Sequence, residues 1–341
     1  FFVEIHFGII KKGFGIKYFI KVYFYLKMKD SKKLFLLDAY ALIYRAYFAF
    51  SKNPRINSKG INTSAVFGFT NTLIELIKKE KPTHIAVVFD TKHPTERHVE
   101  FPQYKAHREE MPEGLRLSLP YIDELLEGFN ILKIFKDGYE ADDVIGTIAK
   151  TAEKEGFQVF MMTPDKDFAQ LVSENIFIYK PGNKWQPTTI MGVNEVLKKF
   201  QIKRIDQVID FLGMTGDVAD NIPGIVGVGE KTAQKFIKEY DSMEGLFANT
   251  NQLKGKIKDK VESSREIGML SKKLVTIITN VPIQMNFSDM KINQKNSNKI
   301  RKLFEELEFR TLLKRVLPEH NHVKEIKVVN KEIKDQKINN Q

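Results

Sequence analysis

Tyr139-Glu140-Ala141-Asp142-Asp143-Val144-Ile145-Gly146 runs on to Phe157-Gln158-Val159-Phe160-Met161-Met162-Thr163 and then to Pro164-Asp165-Lys166-Asp167. Asp142 and Asp143 stand where an apolar helix should begin, and a helix N-terminus favours negative charge through its dipole and free N–H groups. Val144, Ile145, Ile148, Ala149 and Ala152 follow at helical spacing and Gly156 supplies a stop, so the spacing predicts a helix. The apolar run after it predicts a buried strand with acids at its exit. Capping explains one acid or two. Glu140 is surplus to that need.

Working outward, the same grammar recurs. Leu34-Phe35-Leu36-Leu37-Asp38 reads as a strand ending in an acid, followed by a helix carrying Ala41, Leu42, Tyr44 and Arg45. A turn-rich stretch, 53–60, precedes a helix from about Thr63 to Glu80, and His84-Ile85-Ala86-Val87-Val88-Phe89-Asp90 is again a buried strand ending in Asp. Strands alternating with helices imply a parallel α/β sheet, whose ligands bind outside the carboxyl ends of the strands. Asp38, Asp90, Asp165 and Asp167 are therefore expected in one crevice. Turn chemistry explains one strand-terminal Asp but not three strands ending this way. Like charges so close cannot all stay ionised without cations, and oxygen-only ligands favour Mg²⁺ or Mn²⁺ over zinc.

Between Asp90 and Glu140 a charged segment is broken by Pro94, Pro102, Pro112 and Pro120, and it contains Tyr104-Lys105-Ala106-His107-Arg108. If that piece is helical, Lys105 and Arg108 share a face, and Tyr104 offers a stacking surface. Beside an acidic crevice two such cations are suited to gripping a phosphate, although alone they would read as a solvated face. Further on, a helix from Gln207 to Met214 leads to two more acids in Gly216-Asp217-Val218-Ala219-Asp220-Asn221-Ile222-Pro223. Next comes Gly224-Ile225-Val226-Gly227-Val228-Gly229-Glu230-Lys231-Thr232-Ala233, opening a helix that ends near Tyr240. A phosphate-binding P-loop needs Lys directly after its last Gly and a strand before it; here Glu230 intervenes and a helix precedes. A glycine-tight hairpin between helices, presenting backbone N–H groups to a nucleic-acid phosphate, fits better than a plain turn, which would not need three glycines. Leu253 to Leu274 reads as Lys-rich helix and Ile300 to Leu317 as a last amphipathic helix.

The 341 residues, 42% hydrophobic, suffice for one large domain or two modest ones, and the formal charge of +11 favours a polyanionic partner. The absence of cysteine excludes disulfides, a thiolate nucleophile and Cys-based zinc sites, and suits a reducing cytoplasm. Residues 1–29 are rich in Phe, Tyr, Ile and Lys; Lys11, Lys12, Lys17 and Lys21 leave no run near the ~18 apolar residues of a membrane span. This leader is expected to lie upstream of a true start at Met28 and to do no chemistry. No membrane partner is expected.

In order and combination these motifs resemble the 5′-nuclease domain of bacterial DNA polymerase I, in the flap endonuclease superfamily, from about Lys33 to Leu317. The resemblance implies a PIN/FEN-like parallel-sheet core at 30–191 with a helical arch at about 91–128. It further implies a helix–hairpin–helix subdomain at 192–290, a C-terminal helical segment at 291–318 and a linker or disordered tail at 319–341. Asp38, Asp90, Glu140, Asp142 and Asp143 would hold one metal ion, and Asp165, Asp167, Asp217 and Asp220 would hold or support a second. Lys105 and Arg108 would reach the scissile phosphate. Tyr104, Gly224, Gly227, Gly229, Lys231 and Thr232 would bind DNA, with K⁺ at the hairpin. The implied activity is two-metal cleavage of DNA with 5′ flaps, nicks or RNA primers, by a monomer, leaving 5′-phosphate and 3′-hydroxyl ends. A polymerase half is expected either fused to this chain or separate. Two other readings stay open: a PIN-type ribonuclease, which would lack the Gly224–Thr232 hairpin, and a non-catalytic structure-specific DNA-binding protein, which would have lost site acids.

Overall fold

A computed structural model describes residues 32–182 and 187–318. The leader and the tail from 319 onward lie outside the described residues. The elements in chain order are β1 (Lys33–Asp38), α1 (Ala39–Phe48), α2 (Ser64–Glu80), β2 (His84–Val88), α3 (Glu96–Glu100), α4 (Glu113–Arg116), α5 (Leu119–Phe129) and β3 (Leu132–Ile134). Then come α6 (Ala141–Lys154), β4 (Gln158–Met162), β5 (Ile176–Lys180), β6 (Thr189–Met191), α7 (Val193–Phe200), α8 (Gln207–Thr215) and α9 (Glu230–Tyr240). The chain continues through α10 (Met243–Ala248), α11 (Lys256–Ser263), α12 (Arg265–Val275), α13 (Ser297–Glu306) and α14 (Arg310–Val316).

The strands form one sheet in the order β3-β2-β1-β4-β5-β6, parallel except for β6 on β5. This is the α/β class expected from the alternation of strands and helices, with an antiparallel edge added. After β1 the chain builds outward to β2 and β3 on one side, then crosses back to β4 on the other. The reversal point of an open parallel sheet leaves a crevice above its strand ends. Asp38 ends β1 at the level of Val88 on β2, and Leu37 pairs with Met162 on β4, so one acid after each of the three strands, Asp38, Asp90 and Asp165, reaches that crevice, while Asp167, expected with them, does not line it.

Successive strand residues face opposite layers. Leu34, Leu36, Ala86, Val88, Val159 and Met161 pack under α6 and continue into the core of α8, α9 and α12. Phe35, Leu37, Ile85 and Val87 pack against α1, α2 and α5 and against Ile300, Phe304 and Leu312 of α13 and α14. The C-terminal helices thus complete the far layer of the α/β core. On α6 the apolar positions Val144, Ile145, Ile148, Ala149 and Ala152 are all fully buried, each large one stabilising the layer by about 1.5–3 kcal/mol.

Two segments that read as single helices are each two. The Lys-rich one breaks at Ser264, whose hydroxyl accepts from Val226 N–H in the hairpin. The last one breaks after Glu306, where Glu308 takes φ +60 and Phe309 turns inward against Phe67 and Phe304. Within the arch, 101–112 forms turns and no helix. Among the described residues no helix is long and apolar enough to cross a membrane.

Candidate active site

A crevice of about 780 Å³ opens above β1, β2 and β4. Six of the nine expected acids line it: Asp38, Asp90, Glu140, Asp142, Asp165 and Asp220; Glu109 and Glu110 join them from the arch, with Lys105 and Arg108 as its side-chain cations. Each acid is placed by local structure. Asp38 caps α1, accepting from Ala41 N–H at 3.3 Å and from the Thr163 hydroxyl at 2.9 Å. Asp90 accepts from Ala141 N–H at 2.9 Å, which ties the end of β2 to the N-terminus of α6. Glu140 caps α6 and receives Lys105 Nζ at 2.7 Å and the Tyr104 hydroxyl at 3.0 Å.

The charges are poorly balanced. Burial pushes Asp38 up from 3.8 to about 7, with Asp90 and Asp165 adding to it against the Thr163 hydrogen bond. Burial also raises Asp142 well above its ordinary value, with Asp38, Asp165, Glu140 and Asp90 all pressing in the same direction. Asp90 is raised by burial despite its bond from Ala141. Glu140 goes the other way: burial opposes its charge, but Lys105 and Arg97 hold it below the usual range.

Asp165, Asp167, Asp217 and Asp220 form a second group beside the first. Burial and the neighbouring Asp165 push Asp167 up to about 7, and its Oδ1 is buried with no hydrogen-bond partner. Asp217 is held low: burial opposes its charge, but Lys166 Nζ stands 3.1 Å away and Ala219 and Asp220 N–H groups donate to it. Among the described residues no three of these carboxylates close on one point as a ready-made cage. Hard oxygen donors, protonation favoured for want of counter-charge, and an orphaned buried carboxylate oxygen together fit oxygen-liganded divalent cations.

Two expected residues are placed differently. Asp143 does not face the crevice: it is fully buried, receives Arg97 Nη1 and Nη2 at 2.7 Å each, and accepts from Ile278 N–H at 2.8 Å. Tyr104 is 4% exposed and offers no stacking face, because its ring lies in the core and its hydroxyl is spent on Glu140. Of the three hairpin glycines, Gly224 and Gly227 are left-handed at φ +66 and +78, and Gly229 at φ −95 caps the start of α9. Lys105 and Arg108 share no helical face, yet both reach the acids: Lys105 lies between Glu140 and Asp220, and Arg108 Nη2 meets Asp220 at 2.5 Å.

In the hairpin, Gly224 N–H donates to the buried Ser271 hydroxyl and Ile225 N–H to Met214 carbonyl. Among the described residues, the N–H groups of Gly227, Gly229, Glu230 and Lys231 donate to no backbone carbonyl. Thr232 N–H closes back on Gly229, so the side of α9 that carries Lys231 starts with free donors.

Two features escaped the sequence reading. Arg97 ties the arch to α6 and to the end of α12, donating to Asp143, to the Leu274 carbonyl in the last turn of α12 and to the Thr276 carbonyl just after it. A single Arg among dispersed charges gives no signal for this. Tyr40, Tyr44 and Phe48 also line the crevice, from α1. Their i, i+4, i+8 spacing along α1 was the available sign.

Two family models match, "5′-3′ exonuclease, N-terminal resolvase-like domain" over residues 33–201 and "5′-3′ exonuclease, C-terminal SAM fold" over residues 204–298. The 5′-3′ exonuclease of Aquifex aeolicus is 38% identical over 285 residues, covering 84% of this chain and 95% of that protein. The chain belongs to the 5′-3′ exonuclease family. It is accordingly a nuclease of the hydrolase class. DNA polymerase I of Bacillus subtilis is 39% identical over 291 residues, covering 85% of this chain and 33% of that protein. The chain thus spans about a third of the length of the DNA polymerase I relatives it matches. Among solved structures, a bacteriophage T5 flap endonuclease in a pseudo-enzyme-product complex with DNA and metal ions superposes with TM-score 0.60 at 20% identity, over 81% of this chain and 99% of that one. That likeness establishes the shared fold.

Proposed function

We propose that this chain is a structure-specific 5′-3′ exonuclease and 5′-flap endonuclease that cuts DNA with two divalent metal ions and leaves 5′-phosphate and 3′-hydroxyl ends. The observation that carries the reading is the crevice itself, eight carboxylates facing two side-chain cations at the reversal point of the sheet. Asp38, Asp90, Glu140 and Asp142 would hold one ion, with Asp143 locking the helix behind them. Asp165, Asp167, Asp217 and Asp220 would hold or support the other. When bound, such ions acidify a water and neutralise charge on the phosphate. Mg²⁺ is the proposed ion, Mn²⁺ a substitute.

The chain's own residues do the rest. Lys105 and Arg108 project from the arch into the crevice, where their charges would stabilise negative charge developing on the phosphoryl oxygens. With the phosphate present they would exchange Glu140 and Asp220 for it. Tyr40, Tyr44 and Phe48 in the same crevice would offer aromatic faces to unpaired bases. The free N–H groups from Gly227 to Lys231 would take duplex phosphates, with K⁺ bound at the same hairpin.

The biological substrates proposed are 5′ flaps, nicks and RNA primers in replication and repair. The protein would act as a cytoplasmic monomer with a fused or separate polymerase half. A labelled 5′-flap duplex incubated with and without Mg²⁺ tests the chemistry: cleavage only with the ion supports it, and full turnover in excess chelator sinks it. Preference for single-stranded RNA over the flap would favour a PIN-type ribonuclease instead.

A further inference from the structure

We propose that Asn221 is a positioning residue that acts through the backbone of the arch to hold Lys105 in the crevice. The inference rests on the reading of Lys105 as a phosphate-stabilising cation. Lys105 has φ +58, a left-handed conformation that a lysine keeps only when its surroundings impose it. The segment around it is turn, so no helix supplies that constraint. The constraint comes instead from the loop that opens the hairpin. Asn221 Nδ2 donates to Gln103 carbonyl at 2.7 Å, and Lys105 N–H donates to Asp220 carbonyl at 2.9 Å. These two bonds flank the lysine backbone and set the direction of its side chain, which then reaches Glu140 Oε1 at 2.7 Å.

The loop making these bonds is itself rigid. Asp217 and Ile222 exchange N–H to carbonyl bonds at 2.9 and 2.7 Å, closing Val218 to Asn221 into a tight turn. Asn221 sits at φ +57, a conformation asparagine tolerates better than other side-chain-bearing residues. Its carboxamide touches no carboxylate of the crevice in any hydrogen bond; its side-chain partner is the Gln103 carbonyl. Two residues later the chain passes through Pro223 into Gly224 and the free N–H groups of the hairpin. One stiff turn therefore links the element that would grip duplex to the cation that would serve chemistry. Duplex held at the hairpin fixes the same turn from which Lys105 is hung.

The test uses the full chain with a 5′-flap duplex and Mg²⁺. Asn221→Gly leaves the left-handed backbone accessible and deletes the donor; Asn221→Asp keeps shape and backbone preference but turns the donor into an acceptor that repels the Gln103 carbonyl. Both should cleave about tenfold slower in single turnover, at unchanged flap affinity and melting temperature. The Lys105 amide should exchange its hydrogen faster in both, a readout that needs no catalysis. In a Lys105→Ala background Asn221→Gly should cost nothing further, since its effect runs through that side chain. Penalties that simply multiply, parent-rate cleavage by either Asn221 variant beside a slow Lys105→Ala, or an unaltered Lys105 amide would each overturn the proposal while leaving the assigned activity intact. Parent-rate cleavage by Lys105→Ala would remove the role of Lys105 itself, and this inference with it.

Discussion

Asp142 and Asp143 are neighbours at the start of one helix, and they end in opposite regions of the molecule. Asp143 turns into the core, where a bidentate arginine and two N–H groups satisfy it completely. Asp142 turns into the crevice, where burial raises its pKa and the like charges of Asp38, Asp165, Glu140 and Asp90 press the same way. The core side holds its charge with partners supplied by the chain. The crevice side leaves charge uncompensated, at a cost to stability that an external cation can remove. Structure and function are separated by one residue of helix rotation.

The largest effect should come from the crevice side. Asp142→Asn is expected to lower single-turnover cleavage by roughly a thousandfold, since it takes charge from the carboxylates that would hold an ion worth several kcal/mol to the transition state. Flap binding should largely survive, as it should for Asp90→Asn. Stability should move the other way. In chelator, Asp38 has a folded-state value near 7 against an ordinary 3.8, so the folded protein binds the extra proton between those limits. Its contribution is fully present below pH 4 and lost as pH rises through about 7, so the chelated parent should melt lower as pH climbs. Mg²⁺ at neutral pH should restore the loss, and Asp142→Asn should melt higher than the parent in chelator. A chelated Asp142→Asn protein that melts lower than the parent would show that the crevice acids are not strained.

Asp143→Asn should do the reverse. It leaves Arg97 buried beside a neutral group, and breaking such a pair typically costs about 3–5 kcal/mol. Urea unfolding should show that loss, and the protein that remains folded in the cold should need Mg²⁺ at the parent's concentration. A raised Mg²⁺ requirement with unchanged stability would return Asp143 to the metal group. Next in size, Lys105→Ala and Arg108→Ala should each slow single-turnover cleavage about a hundredfold, more than they weaken flap binding. A matching loss of affinity and rate would make them phosphate anchors only.

Much of this was legible in the sequence because parallel strands are buried on both faces and read as short apolar runs, with the acids after them marking the crevice. The strands β3, β5 and β6 were not read: β3 and β6 are three-residue edges with exposed positions, too short for a period to show. Asp143 could not be told from Asp142, since helix rotation relative to the sheet depends on what packs behind, here Arg97 and the chain after α12. Tyr104 was misread because an aromatic between charges looks exposed until Glu140 is known to need its hydroxyl. The helix breaks at Ser264 and Glu308 follow from tertiary contacts, Val226 N–H in one case and the Phe309 pocket in the other, which no local propensity encodes.

The glycine hairpin repeats the same comparison in backbone form and gives the smallest effect. Gly224 is on the satisfied side: its N–H is bonded, and a Cβ there would stand 2.6 Å from Gly216 N. Gly229 is on the open side, with no heavy atom within 4 Å of an added Cβ and an N–H that bonds no described carbonyl. Gly229→Ala should therefore leave folding and the metal site unchanged, and only hinder the approach of a phosphate to the first turn of α9. Flap affinity should fall a few-fold and the slope of log affinity against log salt should flatten by up to about one, as one phosphate contact is weakened. At saturating enzyme the single-turnover rate should recover to the parent value, which Asp142→Asn cannot do at any concentration. A folded Gly229→Ala protein that binds the flap with the parent's affinity across a salt titration would mean that the free N–H groups meet no phosphate, and that the hairpin serves only to turn the chain between α8 and α9.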